Sequence, residues 1–210
     1  MSKSLVLDFD NKINDNKYSV SDLLRHCLII AKKLKQEEAI QWINRELEGY
    51  DAEEKLPNYR LIPMSVKFYN PVYGWCPLTI INKTILETLN RMAIRQKIAE
   101  IESLTTESKM VLFSSPYEAK KMFLSEIPFD SDIAYEANAI ALAGIIDSVK
   151  NRMLEWILLL EENSIVDVEN VFSGEQIEKA EKLSIQVVNN FYGDNNKINV
   201  EQKMIKKRIN

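Results

Sequence analysis

The stretch from Ala137 to Leu160 constrains the fold most. It is the most apolar region of the chain, yet Asp147, Lys150, Arg152 and Glu155 interrupt it. A bilayer-spanning helix needs roughly 18 or more apolar residues, and no run here reaches that length. The segment therefore reads as a helix that must be buried by the rest of the protein, within a longer helical stretch over Asp132–Glu162 that could bend near Gly144. A chain of 210 residues is long enough to do this with one domain and a real core.

Other segments supply the enclosure. Ser19 and Asp22 have the spacing of a capping box, and Leu23, Leu24, Cys27, Leu28, Ala31 and Leu34 follow at helical intervals. A second helix is expected over Glu37–Glu48, with Ala39, Ile40, Ile43 and Leu47 inward and Gly49 at its end. With a break near Lys35 and Gln36, the two form a helical hairpin. Pro57, Pro63, Pro71 and Pro77 then punctuate a different region. Met64–Tyr69 alternates and Leu78–Ile81 is β-branched, so two short strands around a Pro71–Gly74 turn are expected. A long helix is expected from Asn82 or Thr84 to about Leu104, and Met110–Phe113 reads as a strand or the end of a linker. Ser115-Pro116 opens a helix that ends before Pro128, and Ser173–Gln176 opens one that runs to about Ile185. Val187–Glu201 reads as strand, turn, strand on an Asn-rich background. The expected fold is mainly α: a helical domain over 18–188 with an N-terminal helical hairpin, a small two-stranded β element and a short β-like C-terminal tail. Residues 1–17 read as a polar extension and 189–210 as an Asn-rich, basic tail.

The composition excludes much chemistry. There is 1 His, and there are 2 Cys and 5 Gly. His26 follows Arg25 directly, the wrong spacing for the Arg–His pair of a HEPN ribonuclease. Cys27 is next to His26, but consecutive helical residues do not face one another, so they do not form a nucleophile–base pair. No Gly-rich phosphate loop is present. The acidic pairs Glu46/Glu48, Glu53/Glu54 and Glu161/Glu162 read as solvated helix ends. No cofactor and no metal site are expected. The net charge of −4 makes nucleic acid an unlikely partner in spite of the basic end at Lys203–Arg208. Two isolated thiols, a polar start and no membrane span suit a cytoplasmic protein.

Four stretches carry a family resemblance. They are Leu23-Leu24-Arg25 with Ala31–Leu34, then Trp42–Tyr50 with Leu56–Arg60, then Ile145–Leu160, and finally Phe172–Gln176 with Lys179-Ala180. In this order and spacing, over about 18–190, the chain resembles the AbiTii family, the second component of the lactococcal AbiT abortive-infection system. The resemblance implies a part in bacterial defence against phage. It carries no catalytic residue with it.

Aromatic residues concentrate near the expected ribbon. Trp42, Tyr50, Tyr59, Arg60, Tyr73 and Trp75 are the candidate binding residues, since Trp, Tyr and Arg are the usual anchors of protein interfaces. The expectation is a non-enzymatic sensor or regulator that works through protein–protein contacts. Its partners would be a second abortive-infection component or a phage protein, together with self-association. The alternative is a toxin nuclease with a carboxylate metal site of a type the sequence does not display.

Overall fold

The computed structural model describes residues 4–79, 91–107, 109–115, 120–121, 131–183, 186–187 and 191–192. Six α-helices lie among them: α1 (Leu5–Ile13), α2 (Val20–Lys33), α3 (Glu37–Glu48), α4 (Ile98–Glu107), α5 (Ala139–Glu162) and α6 (Gly174–Lys182). Six strands accompany them: β1 (Leu61–Pro63), β2 (Ser65–Asn70), β3 (Gly74–Pro77), β4 (Arg91–Ala93), β5 (Met110–Ser114) and β6 (Ile133–Asn138). The chain divides into two compact units. The first comprises residues 1–58, 95–100 and 146–210, the second 59–94 and 101–145.

The first unit is helical. Ser19 accepts from the Asp22 amide and Asp22 returns the bond, so the capping box starts α2 as its sequence indicates. Lys35 takes φ 55 in the tight turn before α3. Leu23, Leu24, Cys27, Ile30 and Ala31 of α2, with Ala39, Trp42 and Ile43 of α3, are buried. Val149, Met153, Trp156, Ile157 and Leu160 of α5 join this core. Gln36 ties the unit together: its side-chain amide donates to the Ala180 carbonyl at 2.9 Å, and its oxygen accepts from Trp156 Nε1 at 2.9 Å. The first helix was not expected. Val6 and Phe9 recur at helical spacing and both are fully buried, and Asp8, Asp10, Asn11 and Lys12 supply the polar positions.

The second unit holds two antiparallel sheets. One pairs β1 with β4, Ile62 opposite Met92. The other has the order β3-β2-β6-β5. β2 and β3 form the expected hairpin, with Tyr69 opposite Trp75 and Asn70 opposite Gly74. On β6, Ile133, Tyr135 and Ala137 share one face, and Val66 and Val111 stand opposite Tyr135 and Ala137 on that same face; all five are buried.

These sheets overturn the mainly α expectation: the fold is α+β. Four segments differ from the expectation, and β4 and β6 carry the change of class. The second ribbon strand is Gly74–Pro77, so Cys76 lies in a strand and Leu78 and Thr79 lie beyond it. Residues 91–93, expected inside a long helix, form β4, because Leu61–Pro63 offers them a ladder and buries Met92. Residues 133–138, expected to begin the apolar helix, form β6. A short apolar run suits a buried strand and a buried helix equally, and here β2 and β5 flank it on both edges. Asn138 closes the strand and caps α5, accepting from the Ile140 amide at 2.8 Å. Lastly, residues 187 and 191–192 are helical, where a strand was expected. Expectations for 80–90, for the helix start at Pro116–Glu118 and for 193–210 lie outside the described residues.

Candidate functional site

The β2–β3 hairpin presents apolar surface. Asn70 accepts from the amides of Val72 at 2.9 Å and Tyr73 at 3.2 Å, which sets the turn. Gly74 closes it at φ 73, a conformation that favours glycine. The rigid turn leaves Val72 79% and Tyr73 80% exposed. Strand alternation places Tyr69 and Trp75 on one face, opposite each other. Their rings meet edge to face with centroids 5.5 Å apart and stay 44% and 39% exposed. The same face carries Lys67, which is paired with Glu136 at 3.3 Å, and Ser65 donates to Glu136 at 3.1 Å.

A polar cleft of about 480 Å³ lies in the first unit. Its walls include Arg45 and Glu48 of α3, Gly49, Asp51 and Glu54 after it, and Arg95, Lys97 and Glu100 at the start of α4. Gly49 sits at φ 94, and a Cβ there would come within 2.9 Å of the Arg95 carbonyl. That close approach lets the Tyr50 amide donate to the same carbonyl at 2.9 Å. The Arg95 guanidinium donates to the carbonyls of Asp51 and Glu54. Arg45 Nε donates to Glu54 at 2.7 Å and its Nη1 to the Tyr192 hydroxyl at 3.0 Å. Burial would lower the Arg45 pKa, but Tyr192 and Glu54 outweigh it and push it up. Charges of both signs line this cleft; Arg45 pairs with Glu54, and the Arg95 guanidinium is taken up by backbone carbonyls.

The six candidate residues have different fates. Trp42 and Tyr50 belong to the first unit and both are buried. Trp42 stacks on Phe191, and the Tyr50 hydroxyl donates to Glu46 at 2.6 Å. The other four lie in the second unit. Arg60 is fully buried, donating to the Ile94 carbonyl at 3.0 Å. Tyr59 is half-buried in the 3-10 turn before β1. Tyr73 and Trp75 occupy the exposed hairpin. Tyr69, which the sequence already groups with the aromatic residues near the ribbon, lies beside them, and Val72, which it did not single out, joins them at the turn that Asn70 sets.

The nucleophile and base candidates are internal. Cys27 is completely buried, which drives its thiol pKa far up. His26 is engaged on both ring nitrogens, by the Leu5 carbonyl and the Lys12 ammonium. Among the described residues no group of His, Cys, Asp or Glu is arranged to hold a metal ion, and no helix is long and apolar enough to cross a membrane.

Fold and surface together define a two-unit α+β protein with an exposed aromatic hairpin. The AbiTii family model matches residues 4–185, and the chain belongs to that family. Membership places it among the components of abortive-infection phage defence. The match takes in α1, which the sequence reading had set apart, and stops before Phe191. No curated protein and no solved structure gave a match.

Proposed function

We propose that this AbiTii-family chain is a non-enzymatic sensor or regulator of the defence response, acting in the cytoplasm through the β2–β3 hairpin. The supporting observation is the exposure of Val72, Tyr73, Tyr69 and Trp75 on a turn that Asn70 and Gly74 hold rigid. Large aromatic side chains on a preorganised hairpin lose little entropy on binding and bury much area when a partner covers them. The partner is a protein, another component of the same defence system, and a phage protein is the other outcome the test distinguishes. Four carboxylates have structural partners. Glu46 serves Tyr50, Glu54 serves Arg45, Glu136 serves Lys67, and Asp167 serves the start of α1.

The test replaces Tyr73 and Trp75 by alanine in the full chain. Cells carrying the variant and the neighbouring gene are then challenged with phage, and co-purification of the neighbouring product is scored. The expected result is lost protection and lost co-purification with unchanged thermal stability. Lost protection with co-purification intact points to a phage protein at the hairpin. Full protection by the variant, or metal-dependent cleavage of nucleic acid by the purified chain, overturns the proposal.

A further inference from the structure

The two edges of the four-stranded sheet are built differently. At the β3 edge, the Leu78 amide donates to the Val66 carbonyl at 2.9 Å. Strand alternation therefore turns the backbone of Cys76 toward β2, and that of Trp75 and Pro77 away from it. Pro77 has no amide to offer and β3 has only 4 residues, so this edge is blunted. At the β5 edge, the Ala139 amide donates to the Lys109 carbonyl at 2.9 Å and the Ser115 amide to the Ile133 carbonyl at 3.4 Å. The same alternation turns Val111 and Phe113 toward β6, and the amide and carbonyl of Leu112 away from it. Among the described residues, β6 is the one strand that pairs with β5. Met110–Ser114 holds no charge and no proline, and its register with β6 runs unbroken. Sheet edges are normally guarded by such devices, and this one is not.

The strand is also compatible with a copy of itself. Met110, Leu112 and Ser114 share the face opposite buried Val111, with Met110 43% and Leu112 44% exposed. A two-fold axis sets the central residue against its own copy, so a charge at the centre would meet its like. No charge lies between Met110 and Ser115. Glu136, which stands beside Leu112 on β6, is neutralised by Lys67 at 3.3 Å. Antiparallel pairing centred on Leu112 places Met110 opposite the partner's Ser114. Leu112 then meets the partner's Leu112 directly and the partner's Met110 on the diagonal, which closes the exposed apolar side chains of both copies into one strip.

We propose that the β5 edge is a self-association surface, on which a second copy of this chain pairs antiparallel through Leu112 and joins the two four-stranded sheets into one. The surface is separate from the hairpin and does not rest on its role. In the order β3-β2-β6-β5, the hairpin strands lie at the far side of the sheet from β5. The joined sheet therefore carries one β2–β3 hairpin at each end, and a dimer can engage a partner bivalently. A strand of 5 residues is roughly 17 Å long and buries less than the roughly 1,200 Å² of a stable interface. The dimer is accordingly reversible, with a Kd on the order of 10 μM.

Sedimentation velocity on the full chain, from about 1 to about 200 μM, tests the junction. The expected result is a reversible monomer–dimer equilibrium. Leu112→Lys and Leu112→Glu each set like charges at the two-fold centre and should weaken the dimer at least about 10-fold. Their thermal midpoints should stay unchanged, since the side chain is half exposed. Mixed in equal amounts, the two variants should pair again, Lys against Glu. Should either variant lose its thermal transition, Ser114→Lys mixed with Met110→Glu repeats the test at the neighbouring register position. A chain that stays monomeric over the whole range, a dimer that the charged variants leave intact, or a mixture of folded variants that stays monomeric overturns the proposal. The Tyr73→Ala, Trp75→Ala chain should dimerise as the unchanged chain does. Loss of its dimer would place the contact at the hairpin and overturn the β5 junction, whereas loss of protection alone concerns only the hairpin.

Discussion

His26 is the lone histidine, and packing uses both of its nitrogens. Nε2 donates to the Leu5 carbonyl at 2.7 Å and Nδ1 accepts from the Lys12 ammonium at 3.0 Å, which requires a neutral ring. Lys12 also bridges Asp8 at 3.0 Å. Burial, followed by Lys12, holds the His26 pKa below its ordinary 6.5, against the opposite pull of the Leu5 carbonyl, Asp8 and Asp167. The unfolded chain thus takes up the second proton at a higher pH than the folded chain does. This contribution to stability is complete above the unfolded value and is lost as pH falls from there toward the lower folded one. Urea midpoints should decline between about pH 7.5 and about pH 5.5, and His26→Gln should flatten that slope. Gly49 is a second single-residue constraint. Gly49→Ala places a Cβ against the Arg95 carbonyl at a φ of 94, and should cost about 1–3 kcal/mol in chemical denaturation. That a glycine stops α3 is legible in the sequence. That a carbonyl from far along the chain passes over it is not.

At the scale of the element, α1 depends on a residue distant in sequence. Asp167 accepts from Ser4 Oγ at 2.7 Å and from the amides of Val6 at 3.1 Å, Leu5 at 3.0 Å and Asn170 at 3.1 Å. A carboxylate at a helix N-terminus satisfies orphan amides and the helix dipole together. Burial alone would raise its pKa, but the hydrogen bonds from Leu5, Ser4 and Val6 outweigh that and hold it below the usual 3.8. Its stabilisation is therefore present above the unfolded value and lost as pH falls through the lower folded one. Asp167 is aimed by a tight turn in which Glu169 and Asn170 take φ 52 and 64 and Val168 and Val171 exchange amide bonds. Asp167→Ala should lower stability by about 1–3 kcal/mol. Exchange protection should fall first in α1, and Asp167→Asn should recover part of the loss. Ser4 caps α1 locally, accepting from the Leu7 amide at 3.3 Å, but the carboxylate that takes the Leu5 and Val6 amides lies more than 160 residues further along the chain, and the sequence does not show that pairing.

At the scale of the whole molecule, the candidate residues split between core and surface, and stability measurements separate the two. Arg60 is enclosed and bonded to the Ile94 carbonyl, and the Ile94 amide donates back to the Arg60 carbonyl at 2.9 Å. Arg60→Ala should cost about 2–4 kcal/mol, from the cavity and the stranded carbonyl. Tyr73→Ala should change stability by no more than about 0.5 kcal/mol, because the side chain is 80% exposed. Thermal denaturation of both variants checks this contrast. Composition favoured Tyr, Trp and Arg as interface anchors, but it contains nothing that tells an enclosed guanidinium from an exposed phenol.

Short-range signals survived folding. The boxes Ser19/Asp22 and Ser173/Gln176, the turn at Lys35, the stop at Gly49 and the Pro71–Gly74 turn all act within a few residues. Their energies are local, so the sequence states them directly. The α+β character was settled elsewhere. Residues 91–93 and 133–138 carry patterns that serve a helix or a strand, and only ladders to Leu61–Pro63, β2 and β5 made them strands. The same holds for Asp167 beneath α1, Arg95 over Gly49 and Phe191 on Trp42. Each is a pairing between residues far apart in the chain. The free energy that selects it arises only when both partners are brought together, so neither segment alone records it.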